Sequence, residues 1–122
     1  MTPSVALPAF AAQVSLVPSA PQVHPDELLT VTVTLFNTGG VALGNLHYEL
    51  LGWEPAFVPV TDVSTPHDVE VPPDGNDQAV FVLRAVQPGI VELHSNVTFE
   101  TRTDLPTVES VESPPSVVAV AQ

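Results

Sequence analysis

Fourteen prolines are scattered along 122 residues. Proline lacks the amide donor and clashes with the preceding turn of a helix, at a cost of about 3 kcal/mol or more in a helix interior. Long helices are therefore excluded from most of the chain. No stretch carries a 3.6-residue apolar period, and period two recurs instead, which is the pattern of half-buried strands.

The clearest strand is "LLTVTVTLFN", Leu28 to Asn37. Leu29, Val31, Val33 and Leu35 fall on one face, and Thr30, Thr32 and Thr34 on the other. Branched side chains suit a pleated surface with one buried side. Asn37, Gly39 and Gly40 then supply turn chemistry. Further strands are predicted in "QVSLVPS", "NLHYELLG", "HDVEV", "QAVFVLRAV", "IVELHSNVTFETR" and "SPPSVVAVA". "AFVPVTDV" reads as an edge strand because Pro59 interrupts it. "TVESVES" is expected to fold back as a hairpin, and "PQVHPDE" to be a kinked connection. "PPDGND" and "QPG" are turn signals. Seven to nine short strands at roughly ten-residue spacing predict an all-β antiparallel sandwich. Residues 13–122 form this domain, behind an arm of residues 1–12. The core is expected to hold Leu29, Val31, Val33, Leu35, Leu46, Tyr48, Leu50, Phe81, Leu83, Val91, Leu93, Val97 and Phe99.

Charge narrows the partners. Fourteen acidic residues face two basic ones, Arg84 and Arg102, for a net charge of −12. Such a surface repels phosphate backbones and anionic membranes, so no nucleic acid is expected as a partner. Self-repulsion favours solubility, and docking on a basic partner is the sharper reading. No apolar run approaches the roughly 20 residues of a membrane-spanning helix, so no membrane insertion is expected. The absence of cysteine removes disulfides, thiolate catalysis and sulfur-ligated metals, including a blue-copper centre. The opening "MTPSVALPAFAAQVSL" has neither a basic nor a continuous apolar region, so it is not read as a secretory leader.

The segments "LLTVTVTLFNTGGVALGNLHYEL", "VPPDGNDQAVFVLRAVQPGIVELHSNVTF" and "PPSVVAV" resemble the immunoglobulin-like conserved-repeat and CARDB-type adhesion modules of bacterial and archaeal surface proteins. Asn37, Thr38, Gly39, Pro72, Pro73, Gly75, Pro88 and Gly89 fill the turn positions of that pattern. The resemblance implies an immunoglobulin-like sandwich at a cell surface, usually in tandem copies. The disulfide and the tyrosine corner of many immunoglobulin domains are missing, which leaves aliphatic packing to hold the core.

Candidate sites are few. His47 and His94 occupy outer faces of two strands that pair in immunoglobulin sheets. With Glu49 and Glu92 nearby they would make a weak zinc set, and a solvated polar face is the preferred reading. "PDGND" has too few carboxylates for a calcium loop, and the Asn96 sequon sits within a strand. No nucleophile elbow, phosphate loop or zinc-protease motif occurs, so neither catalysis nor a cofactor is expected. The Thr face of the first long strand is read as a wet surface for display. The arm carries Val5, Leu7 and Phe10 between prolines, and these three are the expected partner-binding residues. The reading is a non-catalytic structural or adhesive module. Its contacts would be with other proteins or with copies of itself, in a cell-surface or secreted protein or on a virion. The alternative is carbohydrate binding through Trp53 and Tyr48.

Overall fold

A computed structural model describes residues 10–122. It contains ten strands: β1 (Ala12–Pro18), β2 (Gln22–Val23), β3 (Leu28–Asn37), β4 (Leu43–Leu51), β5 (Phe57–Pro59), β6 (Ser64–Val71), β7 (Asn76–Ala85), β8 (Gly89–Thr101), β9 (Val108–Glu112) and β10 (Ser116–Val120). The first sheet has the order β1-β3-β7-β5. The second has the order β2-β10-β8-β4-β6, with β9 also paired to β8. These two sheets form the predicted sandwich. The predicted edge strand, β5, borders the first sheet, and the predicted hairpin joins β8 to β9.

Two details exceed the expectation of seven to nine antiparallel strands. The connection between β1 and β3 contributes a two-residue strand, β2, which pairs in parallel with β10. Its signal was hidden by flanking prolines, since a two-residue bridge has no period to read. In β4, a bulge at Gly44–Leu46 places Asn45 at φ 48°. Asparagine tolerates this left-handed conformation better than most residues.

The core follows the alternation. All thirteen residues expected inside are at most 5% exposed. Phe57 and Leu43 join them, and Val14 of β1 and Val118 of β10 close the side of the sandwich. Asn37 is buried as well. Its side-chain amide donates to the carbonyls of Val41 (2.7 Å) and Val71 (3.0 Å), and its Oδ1 accepts from the Gly39 amide. The Asn-Thr-Gly turn is thus a polar pin that ties the β3–β4 loop to the end of β6.

Candidate functional site

The two outer faces of the sandwich differ in charge. Cross-strand register places Leu28, Thr30, Thr32, Thr34 and Phe36 of β3 between two rows. Gln13, Ser15 and Val17 of β1 lie on one side. Asn76, Gln78, Val80, Val82 and Arg84 of β7 lie on the other, and Val58 of β5 stands beside Arg84. No carboxylate occurs among these outward positions. On the outer face of the second sheet, the same reading gives Glu49 on β4, Glu70 on β6, Glu92 and Glu100 on β8, and Glu112 on β9.

The two arginines divide in the same way. Arg102 is held by Glu100 at 2.7 Å. Arg84 lies on the carboxylate-free face and enters no ion pair among the described residues. Just past that end of the sheet, Glu27 is turned back onto His24. The His24 amide and then its ring hold the Glu27 carboxyl below the usual carboxylate range.

The face is also drier than the sequence implies. Thr34 is buried, and Thr30 and Thr32 are half-buried. Their neighbours explain this: Val17, Val80 and Val82 shoulder the threonines, and Gln78 donates to the Thr34 hydroxyl at 3.3 Å. Val17 is 60% exposed, Val80 56% and Leu28 54%. The threonine row was legible in the sequence. The valines beside it were not, because their place depends on which strands pair.

The histidines do not converge as the metal reading required. β4 and β8 do pair, but His47 stands opposite Thr98 and His94 opposite Leu51. Four ladder positions separate them, about 13 Å along the strands. His47 instead meets the Ser64 hydroxyl through Nε2 at 2.6 Å. Glu49 faces Asn96, and Glu92 faces Val117 of β10. A different cluster, unseen in the sequence, joins the sheets: Tyr48 and His67 both bond Oδ2 of Asp77, at 2.8 and 2.7 Å.

The aromatic rings considered for sugar stacking are placed otherwise. Tyr48 is wholly buried. Trp53 is half-buried against the core, its indole donating to the Leu50 carbonyl. Phe10 packs edge-on against Phe99, with centroids 5.7 Å apart. Val5 and Leu7 lie outside the described residues.

No family model matches the sequence, and no curated protein matches it. Solved structures do match in shape. The CARDB domain of the PF1109 protein from Pyrococcus furiosus, determined in complex with di-metal ions, has a TM-score of 0.62 at 14% identity. The match covers 96% of this chain and 98% of that one. The chain has the fold of a CARDB-type, immunoglobulin-like module. The cupredoxin domain of amoB from Nitrosocaldus yellowstonii follows at 0.57 and 13% identity, covering 95% and 90%. That likeness is one of architecture, since this chain has no cysteine for a blue-copper centre. The D00-D0 domain of intimin gives 0.52 at 12% identity, covering 98% of this chain and 52% of that structure.

Proposed function

We propose that this CARDB-like sandwich is a non-catalytic structural or adhesive module that makes protein–protein contacts in a surface assembly. Its setting is a cell surface, a secreted protein or a virion. The observation that supports this is the segregation of charge between the two sheet faces. A module of net charge −12 that carries five glutamates on one sheet face and none on the other has kept one side free for contact. Apolar side chains left outward on that side favour association once they meet a matching surface. The adhesive sense comes from the sequence resemblance to CARDB-type adhesion modules, and the likeness to the solved CARDB domain supports the fold that this reading needs.

Photo-crosslinking in the producing cell tests it. A benzophenone side chain at position 80 is expected to yield crosslinked protein, and one at position 92 on the acidic face is not. Equal yields from both positions, or none from position 80, would refute the reading.

A further inference from the structure

We infer that the occupant of the carboxylate-free face is a second copy of this chain, packed sheet to sheet. The inference rests on the reading of that face as a contact surface and adds who covers it.

Three features of the molecule lead to a self-complementary interface. The first is charge. Two molecules of −12 repel on approach, and the repulsion is least where neither presents a carboxylate. The outer face of β1-β3-β7-β5 meets that condition, and the outer face of the second sheet, with its glutamates, does not.

The second is shape and chemistry. Val17, Leu28, Val58, Val80 and Val82 surround Thr30 and Thr32 on a regular pleated surface. Two sheets pack face to face about 10 Å apart by interdigitating such side chains. Valine and threonine have nearly the same shape, so one copy's ridge fits the other's furrow without a special partner sequence. In a twofold pair, Arg84 sits at the rim.

The third is area. Strands of seven, ten, ten and three residues, at about 3.3 Å per residue and about 4.8 Å apart, give a footprint on the order of 480 Å² per copy. A pair would bury about 950 Å², below the standard size of stable complexes and in the range of weak, transient ones. That predicts a reversible dimer and not an obligate one.

Salt dependence separates this occupant from a basic partner. The Debye length falls from about 10 Å at 0.1 M salt to about 3 Å at 1 M. Screening relieves repulsion between two acidic copies, so self-association should tighten. Docking on a basic protein would weaken over the same range.

The experiment is sedimentation equilibrium of the full chain over a range of concentrations and salt. The wild type should form a monomer–dimer equilibrium whose dissociation constant falls on adding salt. Val80→Glu should raise that constant by about 100-fold or more, because each copy would bury an unpaired carboxylate. Arg84→Glu should raise it more modestly. Val117→Glu, a control at an exposed position on the second sheet, should leave it unchanged. All variants are checked for the wild-type circular dichroism spectrum. A wild type that stays monomeric at high salt and high concentration overturns the inference. So does a dimer that Val117→Glu dissolves as readily as Val80→Glu. Crosslinking at position 80 keeps the two claims apart: a heterologous product with a monomeric pure protein removes the second copy and leaves the contact face standing.

Discussion

The Tyr48 hydroxyl on β4 donates to Asp77 Oδ2 on β7 across 2.8 Å, joining one sheet of the sandwich to the other. The same oxygen meets His67 Nδ1 at 2.7 Å, and the Tyr48 and His67 rings lie 4.8 Å apart. A partly buried carboxylate is thus satisfied from two strands of the opposite sheet. Burial of the phenol, and then the Asp77 carboxylate beside it, push the Tyr48 hydroxyl far above its ordinary range.

This clasp predicts an alkaline unfolding step. The unfolded chain releases the tyrosine proton near pH 10, whereas the native state keeps it. Stability from this group is therefore full below about pH 10 and falls above it, by up to about 1.4 kcal/mol per pH unit. Tyr48 is the single tyrosine, so tyrosinate absorbance reports on it alone. The absorbance should rise together with loss of the sheet circular dichroism. A tyrosinate band near pH 10 with the fold intact would contradict this. Tyr48→Phe should remove the step and cost about 1.5–3 kcal/mol at neutral pH, the range for hydrogen bonds to a charged group.

Asn37 should be among the least replaceable polar residues. Asn37→Ala strands two buried carbonyls and an amide, and should cost about 2–4 kcal/mol in urea unfolding. Asn37→Asp should be worse at neutral pH. It sets a carboxylate against the carbonyls of Val41 and Val71, with no donor to offer them. Acidification should recover part of that loss. Equal stability for the Asp and Ala variants at neutral pH would show that the amide donors are not what holds the turn.

The fold was legible because its information is local. Alternation in β3, β4, β7 and β8 assigns each residue to a face without knowledge of which strands pair. That is why the expected core, from Leu29 to Phe99, is found buried. Register is not local. His47 and His94 carry no mark in the sequence of the four ladder positions between them. Asp77 reads as part of a hairpin turn until the sandwich closes and brings Tyr48 and His67 to it. The contact face falls between these cases. The Thr row of β3 is visible in the sequence, and the valines that dry it arrive from β1 and β7 through pairing.

Two glycines should answer differently to alanine. Gly52 has φ 83°, and a Cβ there would run into the backbone carbonyl of Glu92. That carbonyl belongs to β8, which is flanked by β4 and β10 and has little freedom to move. Gly52→Ala should cost about 2 kcal/mol or more. At Gly44 the atoms nearest to an added Cβ are those of the Arg102 guanidinium, the far end of a partly exposed side chain. Arg102 can swing aside, losing a surface ion pair with Glu100 worth about 1 kcal/mol or less. Thermal melts that rank Gly44→Ala below Gly52→Ala would contradict the assignment.

Phe10 gives the last prediction, and it bears on the expectation that the N-terminal arm reaches a neighbouring molecule. The ring rests edge-on against Phe99, beside a recess of about 280 Å³ shared with Val41, Thr101 and Leu105. Phe99 is a core residue, so the contact joins the start of the described chain to the interior of its own sandwich. The Ala11 carbonyl, accepting from the Thr38 amide at 2.9 Å, fixes the backbone next to it. An edge-on aromatic pair contributes about 0.5–1.5 kcal/mol beyond area burial. Phe10 remains 37% exposed, so only part of its transfer energy is gained. Phe10→Ala should therefore lower stability by about 1–2 kcal/mol. Phe10→Leu, which keeps apolar area and loses the ring geometry, should fall between. The residue stands outside the Val17–Val80 patch, so neither variant should change self-association in the sedimentation experiment. If instead Phe10→Ala melts like the wild type but weakens association, the side chain works on a second molecule, and its contact with Phe99 contributes nothing to the fold.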